Sequence, residues 1–346
     1  MSLNLEPVDP LAEPGWDELL ATNPASSFVH TSAWARVLSS SYGYRPRYFA
    51  AVKDFRLLGL IPFMEIRSWV TGCRGVSMPF FDECDLILPE GMRFKEAIHI
   101  VREYAKSRRW RTFELRTRVP GMEGVPASAE YYVHDLDLSR SEDTIFSSFR
   151  NNVRGNIRKV QKEGVTIDRE GTEKNLREFY RLNCLTRREH CLPPQPLRFF
   201  QILWEHVLSK GHGSLLLARY RGKCISGGVF LHDGASVIYK YGASDKRFQH
   251  LRANNLVMWE AIRFYSGQGF GNLSFGRTEL GHDGLRRFKL SWGSSEKILN
   301  YFRFDVRSGS WCQENRKRGS SSTSILARLP LPLLRIAGTI AYRHIG

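Results

Sequence analysis

Two stretches of the chain, about 167 residues apart, repeat one pattern of apolar and polar positions. Residues 51–63 and 218–230 each run from apolar positions through a short charged turn to a second apolar run, which predicts a β-hairpin. Residues 95–117 and 254–278 each show a helical apolar period, then a short turn, then a strand. Each copy is therefore predicted to be hairpin, helix and strand. Such a repeat indicates two copies of one folding unit.

The order of these elements predicts an α/β (α+β) fold with two domains. The length of 346 residues is enough for two separate cores. We place the first domain at residues 1–140, the second at 141–308, and a basic linker with a C-terminal helix at 309–346. Residues 314–324 are polar and rich in serine, which is typical of a flexible linker.

The last segment of the chain, residues 325–346, becomes apolar again. From Leu333 onward the period predicts an amphipathic helix with one basic stripe and one apolar stripe. The basic stripe holds Arg335, Thr339 and Arg343, and the apolar stripe holds Leu333, Ala337, Ile340, Ala341 and His344. Arginines and two prolines interrupt the segment, so we do not expect it to cross a bilayer. Contact with an anionic membrane surface and docking on the protein's own core both stay open.

The net charge of the chain indicates which classes of binding partner to expect. A formal charge of +16 and an isoelectric point near 9.8 favour polyanions and anionic membranes. Six cysteines form no CxxC pair and no metal-ligand spacing, as expected for reduced thiols. The amino terminus lacks the basic and apolar regions of a secretory signal. We therefore expect a cytoplasmic protein, with peripheral contact at the inner face of the cell membrane left open.

Residues 131–167 carry two candidate binding patterns. The spacing of four predicts a basic stripe that suits a phosphate-bearing substrate, formed by Arg150, Arg154, Arg158 and Lys159. Asp135 and Asp137 form a DxD pair, a spacing that binds metal-nucleotides in some sugar transferases. Because this pair ends a predicted strand, we expect no metal site there.

A second group of candidate residues lies after the second hairpin. Residues 236–244 predict a strand that exposes Tyr239 and Tyr241 on the same side, because side chains alternate with a period of two. The loop 244–255 leads into a helix predicted to begin near Leu256. Residues 272–304 combine glycines, basic residues and aromatic anchors, as binding loops at strand ends often do.

Five segments, in this order and spacing, resemble those of the FemAB-like transferases: FRNNVRGNIRKVQKEGV, VIYKYGASD, NNLVMWEAI, SFGRT and GLRRFKLSWGSSEKILNYF. The resemblance covers nearly the whole chain and is strongest from about residue 130 to 305, with the FK-x-x-WG motif as its most specific part. It implies two tandem GNAT-like acyltransferase domains, with mixed twisted sheets flanked by helices. The tail further resembles the branch of the family associated with exosortase (PEP-CTERM) and exopolysaccharide gene clusters.

Members of that family transfer an amino acid from aminoacyl-tRNA to a free amine of a peptidoglycan precursor, without a metal. The resemblance implies amide-bond formation here, with no cofactor and with aminoacyl-tRNA favoured as the donor. The implied acceptor is a peptidoglycan precursor or a lipid-linked saccharide. Since an aminoacyl ester is already activated, the site needs to hold the reactants together, stabilise an oxyanion and give the amine's proton a route.

The resemblance also implies roles for individual residues. Lys289, in the FK-x-x-WG motif, is predicted to place a cation near the donor or the developing negative charge. Tyr239 and Tyr241 are predicted to donate hydrogen bonds or to shuttle a proton. The predicted substrate-binding residues are Arg150, Arg154, Arg158, Lys159, Asn254, Asn255, Gly276 and Trp292. Structural roles stay open for Tyr239 in its strand, Trp292 in the core and Asn255 as a helix cap.

Two departures from the family pattern leave the donor open. The loop QHLRANN has no glycine where GNAT acetyltransferases cradle the CoA pyrophosphate, which disfavours acyl-CoA. The chain also shows no long helical-hairpin arm of the kind that some FemAB-like proteins carry, which weakens the case for tRNA. Two alternatives therefore remain. One is a CoA-dependent N-acyltransferase that acts on an amino sugar of an exported polysaccharide, and the other is a non-catalytic RNA- or membrane-binding adaptor.

Overall fold

The computed structural model describes residues 4–117, 122, 124–313 and 329–346, so the predicted linker at 314–324 lies outside the described residues. The chain forms two compact units. The first unit comprises Met1–Tyr131, Ile298–Lys317 and Ile340–Gly346, and the second comprises Tyr132–Lys297 and Arg318–Thr339. The chain leaves the first unit and returns to it within single strands, so both boundaries differ from those placed at residues 140 and 308.

The helices and strands follow in chain order. The strands are β1 (Glu6–Val8), β2 (Arg45–Pro46), β3 (Tyr48–Lys53), β4 (Arg56–Ile61), β5 (Met64–Ser68), β6 (Gly72–Val76), β7 (Thr112–Thr117), β8 (Ala129–Asp137), β9 (Thr166–Asp168), β10 (Gly213–Tyr220), β11 (Lys223–Asp233), β12 (Ser236–Ser244), β13 (Asn272–Glu279), β14 (Ser295–Asp305) and β15 (Ser310–Cys312). The α-helices are α1 (Trp16–Ala21), α2 (Ser32–Tyr42), α3 (Phe94–Ser107), α4 (Glu142–Ser148), α5 (Asn151–Lys162), α6 (Glu173–Glu189), α7 (Leu197–His206), α8 (Ala253–Gly267), α9 (Asp283–Leu290) and α10 (Leu331–Ala341). The part of the chain that the structure describes also has three short 3₁₀ helices, η1 (Phe28–His30), η2 (Leu208–Lys210) and η3 (Lys246–Leu251).

The first unit contains strands from two sheets. One has the order β1-β3-β4, and the other includes the run β2-β5-β6-β7-β14, with β15 paired to β14. The pairing of β6 with β7 is parallel, whereas β5 with β6 and β7 with β14 are antiparallel. Helix α3 packs its apolar face into one core cluster with residues of both sheets. Phe63, Trp110 and Phe113 are buried in this cluster. The buried aromatic residues supply much of the apolar area that stabilises this core.

The second unit contains a mixed sheet with the order β8-β13-β12-β11-β10-β9. Strands β12 and β13 are parallel, and the β10–β11 and β11–β12 pairs are antiparallel. Helices α5 and α8 bury their apolar faces in one core cluster, where Ile157 and Trp259 lie. On the opposite face of the sheet, Phe179 of α6 and Phe200 of α7 pack against strands β11 and β12. The sheet is therefore covered by helices on both faces, as expected for an α/β unit.

The predicted repeat is confirmed in each unit. Strands β3 and β4 form the first hairpin, and β10 and β11 form the second. Helix α3 precedes β7, and helix α8 precedes β13 in the same way. The predicted α/β fold with mixed sheets and flanking helices is therefore confirmed.

The C-terminal helix α10 docks through a different face from the predicted apolar stripe. Leu334 is fully buried, and the Cα of Gly338 lies close to the carbonyl group of Pro194. Leu333 and Ile340, which belong to the predicted apolar stripe, are more than half exposed. Almost every face of this helix carries an apolar residue, so the sequence period could not select the docked face. None of the helices in the described residues is both long and apolar enough to cross a membrane.

Candidate functional site

Two parallel strands of the second unit, β12 and β13, separate at their carboxyl ends. They pair through Ser236–Ile238 and Asn272–Ser274, and both strands continue beyond this pairing. On its other edge, β12 stays paired with β11 as far as Ser244. The carboxyl-terminal halves of β12 and β13 therefore present backbone groups toward each other, which suits an extended acyl chain.

Gly276 bends β13 just beyond the last pair of this ladder. Its φ is +70°, which lies in the left-handed region that favours glycine. The Nζ atom of Lys289, on α9, donates hydrogen bonds to the carbonyl oxygens of Gly276 and Arg277, each at 2.8 Å. Lys289 is only 6% exposed. The bend in β13 thus brings two carbonyl groups to a buried ammonium group.

A second group of charged residues lies beside Lys289. His134 Nε2, on β8, lies 3.0 Å from Glu296 Oε2 on β14. Arg286 of α9 binds both oxygens of Glu296, with its Nε and Nη2 atoms each at 2.7 Å. The guanidinium of Arg286 also lies 4.2 Å from the ring centre of Tyr132. This network fixes the start of β14, where Glu296 lies, relative to α9, because a bidentate pair allows little rotation.

The charges of this network shift the pKa values of its members. Burial lowers the pKa of His134 below its usual value, and the nearby Lys289 ammonium lowers it further, although Glu296 opposes both effects. The hydrogen bonds from Arg286 lower the pKa of Glu296. His134 is therefore neutral and Glu296 is ionised near pH 7.

Three buried polar atoms around Lys289 have no hydrogen-bond partner within the described ranges. They are His134 Nδ1, Thr278 Oγ1 and Trp292 Nε1. Buried polar groups in native proteins are normally paired, so such a concentration is uncommon.

Trp292 lies in the core rather than on a surface where a substrate could stack. It has no exposed area, and its ring packs against Phe149 at 5.1 Å between centroids and against Phe275 and Phe288. Its role is therefore to hold the turn after α9 in place. The aromatic contact with Phe149 joins that turn to the start of α5.

The predicted basic stripe begins beside the turn that follows α9. The backbone N–H of Arg150 donates to the carbonyl of Ser291 at 2.9 Å, and Arg150 is the residue before α5. Arg154 Nη2 donates a hydrogen bond to Asn151 Oδ1. The guanidinium carbon of Arg158 lies 5.7 Å from the ring centre of Phe146. Arg150, Arg158 and Lys159 are exposed, and Arg154 is half-buried. Their positive charge is available to an anionic ligand near α9.

Tyr239 and Tyr241 do not face the same side of the sheet, contrary to the sequence prediction. The register of β11 with β12 shifts between Val229 and Phe230, so that Lys240 is an extra residue in a β-bulge. Tyr239 packs against Phe230 on the α8 side, and Tyr241 packs against Phe200 on the α7 side. One inserted residue reverses the alternation of side chains. Burial also raises the pKa of Tyr239 to about 12, so Tyr239 stays protonated at neutral pH.

Asn254 and Asn255 lie in the first turn of α8, which begins three residues earlier than predicted. The side chain of Asn254 is exposed and accepts a hydrogen bond from Ser226 Oγ. Asn255 is buried, and its backbone N–H donates to the carbonyl of Arg252 at 2.9 Å. Of these two, Asn254 has the exposure that a substrate contact needs.

The structure thus brings Lys289, Gly276, Trp292 and the start of the basic stripe into one region of the second unit. Sequence reasoning missed His134, Glu296 and Arg286 there. His134 and Glu296 are 162 positions apart, so no local pattern links them. Arg286 and Glu296 do flank the FK-x-x-WG motif, which was the one available signal.

Comparison with known families identifies the central part of this region. Residues 147–290 match the family model described as "Acetyltransferase (GNAT) domain". The match covers α5, the whole β10–β13 region and α9 through Leu290. The second unit therefore contains a GNAT acyltransferase domain. No curated protein sequence matches the chain.

Solved structures share the fold of the chain at low sequence identity. FemX is 13% identical, with a TM-score of 0.66 over 82% of this chain and 95% of its own. A tandem GNAT protein from the clavulanic acid biosynthesis pathway is 9% identical, with a TM-score of 0.53 over 88% and 99%. L-PGS from Bacillus licheniformis is 12% identical, with a TM-score of 0.55 over 98% of each chain. The chain shares its fold with these structures, one of which is described as a tandem GNAT protein.

Proposed function

Because the chain combines a GNAT acyltransferase domain with a FemAB-like tandem GNAT fold, we propose that it transfers an aminoacyl group from aminoacyl-tRNA to a free amine. The proposed acceptor is a peptidoglycan precursor or a lipid-linked saccharide at the inner face of the cell membrane. The observation that carries this proposal is the buried ammonium of Lys289 at the point where β12 and β13 separate. The resemblance to FemAB-like transferases supports the choice of donor and acceptor.

The reaction needs few protein groups. The acceptor nitrogen attacks the ester carbonyl carbon, a C–N bond forms, and the C–O bond to the leaving oxygen breaks. The proton lost by the amine goes to that leaving oxygen. Between these events the carbonyl oxygen carries negative charge, and a fixed cation or hydrogen-bond donor nearby lowers the barrier. No metal and no oxidant enters this balance.

Lys289 supplies that fixed positive charge in our proposal. Its hydrogen bonds to Gly276 and Arg277 hold the ammonium in one place, so it need not reorganise when the oxyanion forms. The start of β14 is held against α9 by three positioning residues, His134, Glu296 and Arg286. Neutral His134 adds no second buried cation beside Lys289.

The basic stripe provides the donor contact. Arg150, Arg154 and Arg158 start at the turn after α9 and continue along α5, so they offer charge to a phosphate backbone or a diphosphate close to Lys289. Because Arg154 and Arg158 also contact Asn151 and Phe146, their side chains are partly preorganised. Preorganised arginines lose less side-chain entropy when they bind phosphate.

A CoA thioester is the second candidate donor. The family model that matches is described as an acetyltransferase domain, and the separated edges of β12 and β13 suit an extended thioester arm. Against it, the loop before α8 contains no glycine and forms the 3₁₀ helix η3, which turns N–H groups such as that of Phe248 back toward its own carbonyls. A pyrophosphate would therefore meet fewer free backbone donors there.

The test compares donors directly with the full-length protein. Single-turnover transfer to a peptidoglycan precursor is measured with charged tRNA and with acetyl-CoA as donors. Binding is measured for charged tRNA, uncharged tRNA and acetyl-CoA at near-physiological salt. Preference for charged tRNA supports the proposal. Acetyl transfer would establish the second candidate, and equal, salt-sensitive binding of both RNAs without transfer would contradict both.

Two matched lysine variants test the site. Lys289→Met keeps most of the buried side-chain volume and removes the charge, and we expect transfer to fall about 10²- to 10³-fold. Lys297→Met removes an exposed charge eight positions away and should leave transfer unchanged. Both variants are checked for native folding by circular dichroism. Equal transfer rates for the two variants would remove Lys289 from the mechanism.

A further inference from the structure

The β5–β6 hairpin of the first unit ends in an aromatic side chain that the proposed reaction does not use. Trp69 is 88% exposed at the tip, and the adjacent Val70 is also exposed. The tip is nevertheless ordered, because Ser68 Oγ accepts hydrogen bonds from the backbone N–H groups of Val70 and Thr71 at 3.1 and 3.0 Å. The turn therefore presents two adjacent apolar side chains to solvent, which form one part of a larger exposed patch.

The end of the chain extends this apolar surface. The ring of His344 lies 5.5 Å from the ring of Trp69, and its Nδ1 lies 3.0 Å from Ser68 Oγ. Arg74 donates to the carbonyl of His344 at 2.7 Å. These contacts bring the last residues to the hairpin tip, where Ile345 is 55% exposed.

Arginines surround the hairpin tip. An open groove beside Trp69 is lined by Arg67, Arg108 and Arg109. The buried carboxylate of Glu65 pairs with Arg67 at 2.8 Å and with Arg108 at 3.3 Å, which holds both guanidinium groups in place. The side chain of Arg109 is exposed and makes no hydrogen bond or ion pair with any described residue. Because the groove has three arginines and Glu65 supplies one carboxylate, it carries a net positive charge next to the apolar tip.

We propose that this docking surface, formed by Trp69, Val70, Ile345 and the three groove arginines, binds an anionic lipid bilayer. Tryptophan favours the membrane–water interface, branched aliphatic side chains insert into the acyl boundary, and arginines bind lipid phosphates. RNA would use the tryptophan and the arginines but gains nothing from exposed valine and isoleucine. The inference deepens the proposed membrane location and rests on it, but it does not depend on the transfer reaction.

The experiment measures cosedimentation of the full-length protein with vesicles of phosphatidylcholine alone, and of equal parts phosphatidylcholine and phosphatidylglycerol. We expect binding to the anionic vesicles, weakened about tenfold or more by Trp69→Ala. Arg109→Gln should weaken binding about fivefold at low salt, with the difference lost at high salt. Phe55→Ala is the matched control, because Phe55 is 93% exposed on the β3–β4 hairpin tip. That variant should bind like the unmodified protein.

Any of the following results would contradict the proposal that this docking surface binds a bilayer. Unchanged binding of the Trp69→Ala variant, or an equal loss with Phe55→Ala, would show that Trp69 has no specific role. Equal binding to both vesicle types would exclude the role of the arginines, and a loss of RNA affinity in place of vesicle affinity would assign the surface to RNA. Transfer to a water-soluble acceptor separates this inference from the reaction: Trp69→Ala should leave it unchanged. If the unmodified protein binds vesicles but transfers nothing, only the proposed reaction fails.

Discussion

Lys289 Nζ donates a hydrogen bond to the carbonyl oxygen of Gly276 at 2.8 Å, across 13 positions of sequence. The direction of that carbonyl depends on the φ of +70° at Gly276, which a residue with a Cβ atom rarely adopts. The identity of residue 276 therefore controls the position of the ammonium group.

Gly276→Ala tests this dependence. A left-handed φ costs a residue with a side chain roughly 1–2 kcal/mol, so we expect lower stability and a shifted carbonyl. Transfer should fall more than the loss of folded protein explains. The measurements are denaturant unfolding and single-turnover transfer.

The control for this change is Gly155→Ala in α5, where the added Cβ meets open space. Alanine is favoured over glycine within a helix by about 0.8–1.0 kcal/mol, so this variant should be more stable and as active as the unmodified protein. A Gly276→Ala variant that matched it in stability and rate would contradict the prediction.

A second prediction concerns Gly242 in β12. A Cβ atom at this position would overlap the hydroxyl of Tyr239, which the bulge at Lys240 brings to the same side of the strand. Overpacking of this kind costs about 1–3 kcal/mol, so Gly242→Ala should lower the denaturant midpoint.

The double variant Tyr239→Phe/Gly242→Ala tests directly whether the two side chains overlap. Tyr239→Phe removes the overlapping hydroxyl, so Gly242→Ala should cost less in that background. Strictly additive free energies of unfolding would mean that the two residues do not touch.

The bulge shows where sequence reasoning reaches its limit. The hairpins and helices could be predicted, because their apolar periods extend over many residues and match burial. The facing of Tyr239 and Tyr241 could not be predicted, because a single extra residue reverses the alternation and leaves no trace in composition.

The candidate site was predictable only in part. Lys289 and Gly276 stand in recognisable motifs, but their hydrogen bond depends on the local bend in β13. The pairing of His134 with Glu296 depends on the placement of β8 relative to β14, which is a tertiary property. The roles of the predicted site residues stay predictions until the variants are measured.

A third prediction concerns pH and His30 in the first unit. Burial lowers the pKa of His30 from 6.5 to about 4, although its contact with the Asp85 carbonyl opposes the shift. The unfolded chain therefore binds a proton between these values and the folded protein does not. Stability is fully present above pH 6.5 and falls as the pH drops toward 4, by up to about 1.4 kcal/mol per pH unit from this residue.

The measurement is denaturant unfolding at several pH values. His30→Gln removes the titrating group and should flatten the slope between pH 6.5 and 4, whereas His250→Gln, at an exposed position, should not. An unchanged slope in the His30 variant would assign the acid sensitivity to other groups.

A fourth prediction concerns the buried carboxylate of Glu65. Burial alone would raise its pKa, but hydrogen bonds from Arg108, Trp110 and Arg67 hold the pKa below its usual value. Glu65→Gln removes the charge that these donors share. Since both arginines are partly exposed and can be solvated, we expect a loss of about 1–3 kcal/mol rather than the larger cost of a fully buried pair.

The matched change is Glu103→Gln, which removes an exposed carboxylate paired with Lys106 and should leave unfolding nearly unchanged. Thermal unfolding of both variants decides the point. Similar small effects for the two would mean that Glu65 does not anchor the groove arginines.

The division of the chain also determines the order in which the two units become complete during synthesis. The first unit includes β15 and most of β14, and these strands leave the ribosome only after all of Tyr132–Lys297 has been made. Residues 1–131 must therefore wait with an unfinished sheet edge, where β7 lacks its partner. The unit that is translated first is completed last, so a chaperone that shields an open strand edge would act on the amino-terminal part of this protein.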